Sequence, residues 1–240
     1  MKLFKVRQFH ANGELLRVEV PASKSILNRA LLLAAFTEGD TRLLCGAYAD
    51  DTKVLIDCLN TLGISTEEHS DGILVHGKAE PPVTDAELYV GGAGTVARFL
   101  TTVLAFRGGN YLMRSNEQME KRPMGIVKVL DQAGVRFEFL GEEGHFPFRM
   151  HSEGVHADLL TIGTDVSTQY ASGILLAAAL GSRPFTLRLG GTRAASSYIR
   201  MTAKLIETFG AVCTRSGGDY AVPMARRLFD GYFREKGTAE

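Results

Sequence analysis

The chain repeats itself about every seventy residues, and the repeating unit is built around a helix with no polar face. Three apolar stretches recur, at 26–36 (ILNRALLLAAF), 96–106 (VARFLTTVLAF) and 170–180 (YASGILLAAAL). A helix apolar nearly all round has to be buried on every side. Each follows a short turn, PASKS at 21–25, GGAGT at 91–95 and GTDVSTQ at 163–169. A second, amphipathic helix follows in each unit, at 52–63, 124–134 and 198–210, and ends in glycine, which suits a left-handed C-cap. The capping glycines Gly63, Gly134 and Gly210 are 71 and 76 positions apart. Gly39, Gly108 and Gly181, just past the apolar helices, are 69 and 73 apart. Two independent markers with nearly one period define an internal repeat.

Short strand-like runs lie between the helices. They fall at 15–20, 41–44, 65–68 and 73–76, at 87–90, 111–114, 135–140 and 146–151, and at 159–162, 186–189, 211–215 and 220–223. Each unit therefore reads strand–helix–strand–helix–strand–strand. The expected fold is an inside-out α/β domain of three βαβαββ repeats, with buried helices and outer sheets. A doubly wound sheet would instead place helices on both of its faces. The repeats span about 15–80, 86–152 and 157–223, joined by linkers at 78–85 and 152–158. The Gly/Glu-rich stretch 142–145 reads as a hairpin tip. Residues 1–14 precede the repeats, and the tail 224–240 matches no repeat position.

The buried helices bear on function through their starts. A helix N-terminus carries unpaired N–H groups and the positive end of the backbone dipole, so it is an anion site. Yet the chain as a whole is neutral, with 27 basic and 27 acidic residues. That balance argues against nucleic acid or an anionic membrane as partner and for a small acidic ligand. The apolar helices are too short for a bilayer, which takes roughly 20 residues. Lys2, Lys5 and Arg7 interrupt the start, and no apolar leader follows. Three scattered cysteines without CxxC spacing fit a reducing cytoplasm. The six histidines show no metal-binding spacing, so no metal is expected.

Four constellations carry candidate chemistry. Ser23, Lys24 and Ser25 open the first helix, and Arg29 lies one turn past Ser25 on the same face, placed to grip a carboxylate. The glycines from Gly91 to Gly94, with Thr95 and Arg98, permit close approach of a ligand to backbone N–H groups. Arg122 stands before Pro123, which suits the first helical position of the next helix. Ser167, Thr168 and Gln169 offer two hydroxyls and an amide at the third helix start, a pattern suited to phosphate. The Asp50–Asp51–Thr52 step reads as an N-cap followed by a first-turn acid. Gly92, Gly94 and Ala97 also match a loose dinucleotide fingerprint, but the nearest acidic candidate, Glu117, belongs to a different element.

In this order the motifs resemble the N-terminal domain of the 5-enolpyruvylshikimate-3-phosphate synthase family, the 3-phosphoshikimate 1-carboxyvinyltransferases. The P-x-S-K-S-x-x-x-R-A-L motif stands at 21–31, G-x-A-G-T-x-x-R at 91–98, and E-R-P at 120–123 with one residue inserted. Ser-Ser-Gln appears as Ser167-Thr168-Gln169, and Tyr-Ile as Tyr198-Ile199. The resemblance runs from about Leu15 to Val222. It implies enolpyruvyl transfer from phosphoenolpyruvate to shikimate 3-phosphate, with no cofactor. By position, Lys24, Gly94, Arg122 and Gln169 would meet phosphoenolpyruvate. Ser25 and Arg29 would hold the shikimate carboxylate, Ser167 and Thr168 its 3-phosphate, and Tyr198 its ring. Thr95 and Arg98 would support the glycine loop.

The chain departs from the family at Gly92 (usually Asn), Phe99 (often Pro) and Ala195 (a phosphate-contacting Ser, for which Ser196 or Ser197 is a substitute). It also stops after three repeats, where the family closes a second domain over its substrates. That second, C-terminal domain is an implied partner, in the same chain or another, and residues 1–14 would pack on it. Transfer through a tetrahedral intermediate needs an acid for the alkene carbon and a base for the hydroxyl. No catalytic residue is assigned within this half, so little or no turnover is expected from it alone. Three alternatives stand beside this reading: half of a UDP-N-acetylglucosamine enolpyruvyl transferase, a non-catalytic binding or assembly module, and a dinucleotide-binding oxidoreductase.

Overall fold

Helix and strand alternate through three units. The computed structural model describes residues 20–163, 167–181, 183–190, 197–211, 213–216 and 219–222. The first unit comprises α1 (Lys24–Ala35), β1 (Gly39–Leu44), α2 (Asp50–Thr61), β2 (Thr66–His69) and β3 (Gly72–Gly77). The second runs β4 (Asp85–Tyr89), α3 (Gly94–Arg107), β5 (Gly109–Arg114), a short α4 (Glu117–Glu120), α5 (Ile126–Gln132), β6 (Arg136–Phe139) and β7 (Phe148–Ser152). The third runs β8 (Leu159–Gly163), α6 (Thr168–Ala179), β9 (Phe185–Gly190), α7 (Ser197–Thr208), β10 (Thr214–Ser216) and β11 (Asp219–Val222). The segment 1–14, the strand expected at 15–20 except for Val20, Ala195, Ser196 and the tail 224–240 lie outside the described residues.

The sheets show the repeat directly. Strand order is β4-β5-β7-β6 in the second unit and β8-β9-β11-β10 in the third. In both, the first pair is parallel and the others antiparallel. A parallel pair needs a crossover, and α3 and α6 supply it. Among the described residues the first unit shows the matching order β1-β3-β2. The second helices end alike. Gly63, Gly134 and Gly210 have φ of +81°, +95° and +84°. In each case the glycine N–H reaches three residues back (to Asn60, Asp131 and Glu207), and the next N–H reaches five back (to Leu59, Leu130 and Ile206). That is a Schellman ending, which a side chain at positive φ would strain.

Every residue of α1 from Leu27 to Ala35 is buried, as is every residue of α6 from Tyr170 to Ala178. Between Thr95 and Ala105 of α3, only Arg98 escapes full burial. By contrast α2 and α7 bury one stripe each, such as Ile199, Thr202 and Ile206 of α7. Helices inside and sheets outside is thus the observed arrangement. No helix among the described residues is long and apolar enough to cross a membrane.

Two local readings are corrected, and one short helix is added. The second helix of the middle unit starts at Ile126, with Gly125 as its N-cap, so Pro123 precedes the helix. The two N–H groups that follow Pro123 find tertiary acceptors: the Met124 N–H goes to Gly144 O at 2.8 Å and the Gly125 N–H to the Tyr170 hydroxyl at 3.0 Å. Asp50 is inside α2, whose N-cap is Ala49. Helix α4, capped by the Asn116 side chain on Met119 N, falls in a stretch too short for periodicity to reveal.

Helix α3 packs on α6 at Gly173. A Cβ there would stand 3.1 Å from Thr102 Oγ1 and 3.5 Å from Arg98 O. A Leu at this position has no room, and we expect Gly173→Leu to cost about 1–3 kcal/mol by overpacking. Urea denaturation measures this, and an unchanged midpoint would show that the two helices do not meet there.

Candidate functional site

The N-termini of α1, α3 and α6 open on one cleft of about 860 Å³. Lys24 and Ser25 reach it from α1, Gly94 and Thr95 from α3, and Ser167, Thr168 and Gln169 from the start of α6. Arg29, Arg98, Arg122 and Tyr198 line it as well, so every site residue named from the sequence borders this one space. Neither Ser23 of α1 nor Ala93 of α3 caps its helix through a side chain. Apart from Ile26 N, which donates to Ser23 O at 3.0 Å, their first-turn N–H groups therefore stay available to an acceptor from outside. Helix α6 differs: the Ser167 hydroxyl accepts from Gln169 N at 3.2 Å.

Two consecutive polar residues of α1 fix these helix ends relative to one another. Asn28 is fully buried; its Oδ1 accepts from Thr52 Oγ1 of α2 at 2.8 Å, and its Nδ2 donates to Thr95 Oγ1 of α3 at 3.4 Å. Arg29 is 1% exposed. Its Nε donates to Thr202 Oγ1 of α7 at 2.7 Å, Nη1 to Ser25 O at 2.6 Å, and Nη2 to Ser172 Oγ of α6 at 3.3 Å. The guanidinium carbon lies 4.7 Å from the centre of the Phe99 ring of α3, a cation–π distance. Burial pulls its pKa down to about 10, partly offset by Tyr198, which leaves it charged at neutral pH. A buried charge is tolerated only when its hydrogen bonds are met, and here three helices meet them while a fourth supplies the ring face.

The remaining cations stand nearer the opening. Arg98 Nη1 donates to Gly94 O at 3.1 Å and to Gln169 Oε1 at 2.9 Å. A guanidinium only donates, so the Gln169 oxygen faces Arg98 and its NH2 is left for another acceptor. A Cβ on Gly94 would sit 2.7 Å from Arg98 Nη1 and 3.8 Å from Arg122 Nη1; glycine gives both side chains that space. Lys24 Nζ pairs with Asp51 Oδ2 at 3.0 Å. Such part-exposed pairs contribute only about 0–1 kcal/mol, so a bound anion can draw Lys24 away. Asp51 is the one carboxylate lining the cleft among the described residues. The site is thus rich in donors and cations and poor in proton-transfer groups. At the far end, Arg107 donates to Leu180 O and to Glu80 Oε1 (2.9 Å), a cation set against the negative ends of α3 and α6.

Sequence reading did not find Asp51, Pro123 or Tyr170 as lining residues, nor Ser172, Thr202 and Asn28 as supports. Only one signal was present: Asn28, Ser172 and Thr202 are polar residues at buried positions of helices. Two departures from the family motifs have a physical counterpart. Phe99 carries Arg29 on its ring. The space next to Gly92 is filled by Asn116, whose Nδ2 would stand 3.0 Å from a Cβ at Gly92.

Arg29→Lys keeps the charge but removes the planar fork that spans Thr202, Ser172 and Ser25. We expect it to lower stability by about 1–3 kcal/mol, the cost of leaving such partners unmet. Chemical denaturation checks this, and wild-type stability in the variant would show that the fork does not tie these helices together.

Comparison with known proteins gives a consistent picture. Residues 12–223 match the family model EPSP synthase (3-phosphoshikimate 1-carboxyvinyltransferase). The chain is 37% identical over 214 residues to a 3-phosphoshikimate 1-carboxyvinyltransferase of Bordetella parapertussis, covering 86% of this chain and 48% of that protein. It is 34% identical over 203 residues to the enzyme of that name from Trichormus variabilis, covering 83% and 48%. A pentafunctional AROM polypeptide of Schizosaccharomyces japonicus is 35% identical over 236 residues, covering 92% of this chain and 15% of that protein. Among solved structures, an EPSP synthase from Acinetobacter baumannii superposes with a TM-score of 0.69 at 24% identity, covering 86% of this chain and 46% of that one. The enolpyruvyl transferase NikO from Streptomyces tendae gives 0.54 at 15%, covering 83% and 46%. The chain spans about half the length of the curated carboxyvinyltransferases it matches.

Proposed function

The chain belongs to the EPSP synthase (3-phosphoshikimate 1-carboxyvinyltransferase) family, and on that premise we propose that its cleft is the substrate-holding half of an enolpyruvyl transferase. The ligands are shikimate 3-phosphate and phosphoenolpyruvate. The observation that carries this reading is the convergence of three helix N-termini with Lys24, Arg29, Arg98 and Arg122 on one cleft. Two phosphorylated carboxylates bring several negative charges, which is what such a cradle stabilises.

Lys24, Gly94, Arg122 and the Gln169 NH2 take phosphoenolpyruvate. Ser25 and Arg29 take the shikimate carboxylate, with Arg29 using the N–H groups that its three protein acceptors leave over. Ser167 and Thr168 take the 3-phosphate, and Tyr198, 53% exposed at the start of α7, covers the ring. Residues 15–223 form the N-terminal domain on this reading, 1–14 pack on a C-terminal one, and 224–240 form a tail. With free thiols at Cys45, Cys58 and Cys213, we place the protein in the cytoplasm.

Enolpyruvyl transfer moves a proton onto the alkene carbon and takes one from the acceptor hydroxyl. Asp51 alone, already paired to Lys24, does not provide both partners. A half-site also leaves its ligands in water. We therefore expect binding without turnover: a Kd for shikimate 3-phosphate of roughly 1 mM, about −4 kcal/mol, by calorimetry, and phosphate release at background until a matching C-terminal half is added. Normal turnover from this chain alone would sink the half-site reading. Preference for UDP-N-acetylglucosamine over shikimate 3-phosphate would sink the substrate assignment.

A further inference from the structure

We propose that the Tyr170 hydroxyl is a latch that positions Arg122 over the N-terminus of α3. The inference rests on the reading of the cleft as an anion site for its functional part, and on hydrogen bonding alone for its structural part. Arg122 is exposed, and among the described residues no hydrogen bond or ion pair holds its guanidinium. Its Nη1 stands 3.8 Å from the Cβ position of Gly94, and with no side-chain tether its reach over that helix start depends on where its backbone is held. That backbone is tied at three places. Arg122 N donates to Met119 O at 2.9 Å, and Met124 N donates to Gly144 O at 2.8 Å. The third tie is Tyr170, in the first turn of α6. Its hydroxyl accepts from Gly125 N at 3.0 Å and donates to Pro123 O at 3.4 Å, bracketing the turn that follows Arg122.

Tyr170 is itself fixed. It is 7% exposed, and the Arg98 guanidinium carbon lies 5.8 Å from its ring centre. Gly125 lets the ring approach, since a Cβ there would stand 3.3 Å from the Tyr170 hydroxyl. A buried hydroxyl with both donor and acceptor used is held firmly. Neighbouring residues of α6 thus serve two functions. Gln169 is aligned by Arg98 on α3, while Tyr170 carries the 121–125 segment. Arg122 follows α6, although among the described residues no hydrogen bond or ion pair joins its guanidinium to that helix. Tyr170 is a positioning residue and acts through Arg122.

Tyr170→Phe keeps the ring and removes the latch. Without ligand, we expect the Gly125 amide to exchange with solvent about five- to tenfold faster, the loss of one net hydrogen bond, while amides of β5 and β9 keep their rates. With phosphoenolpyruvate titrated in saturating shikimate 3-phosphate, Tyr170→Phe should weaken binding several-fold. In an Arg122→Ala background it should add almost nothing further, which a merely structural role would not produce. An unchanged Gly125 rate overturns the latch. Equal losses in the two backgrounds overturn its action through Arg122. Absence of binding in every background removes the reading of the cleft and leaves the Gly125 rate to decide the latch by itself.

Discussion

A charged guanidinium in the middle of an apolar bundle holds this molecule's ligand-binding end together. Arg29 sits at 1% exposure and is met by Ser25 O of α1, Ser172 of α6, Thr202 of α7 and the face of Phe99 on α3. Apolar packing alone is tolerant of slippage, because one methyl contact resembles another. A planar fork with fixed acceptors is not. Asn28, one residue earlier, does the same toward α2 and α3 through Thr52 and Thr95. Two adjacent side chains thereby set the depth at which α1 starts relative to its neighbours. Because the helix starts are the proposed binding groups, fixing the bundle also fixes the geometry of the cleft.

The charge layout follows from that geometry. Uncapped N-termini of α1 and α3 face the cleft together with Lys24, Arg98 and Arg122, while Arg107 answers the C-terminal ends of α3 and α6 at the opposite pole. An anion entering the cleft meets fixed backbone dipoles as well as side chains, with little reorganisation to make. The same layout explains the lack of proton-transfer chemistry. Each protein carboxylate placed in such a cradle would occupy a cation meant for the ligand, as Asp51 does with Lys24, so few carboxylates line it. The chain spans about half the length of the curated carboxyvinyltransferases it matches.

Much of this was legible in the residues. The three all-apolar helices and the three glycine endings are local patterns, and the Schellman bonds at Gly63, Gly134 and Gly210 express them directly. The position of Lys24, Ser25, Gly94 and Gln169 at helix starts needed only the turn residues before them. What could not be read are contacts between segments far apart in sequence. Pro123 lies outside α5, and the next two N–H groups are taken by Gly144 and Tyr170, twenty and forty-five positions away. The inward turn of Arg29 depends on Ser172 and Thr202, whose one local sign is a polar residue at a buried helix position. Asp51 reads as an ordinary first-turn acid until the fold brings it to Lys24.

The central claim is that three separate helix starts form one anion cradle. Backbone amide chemical shifts of the chain, followed during titration with shikimate 3-phosphate, test it most directly. The amides of Ser25, Thr95 and Gln169 should move together along a single binding curve, while those of Arg107 and Leu180 at the far pole stay in place. Shifts confined to one helix start, or concentrated at Arg107 and Leu180, would contradict it.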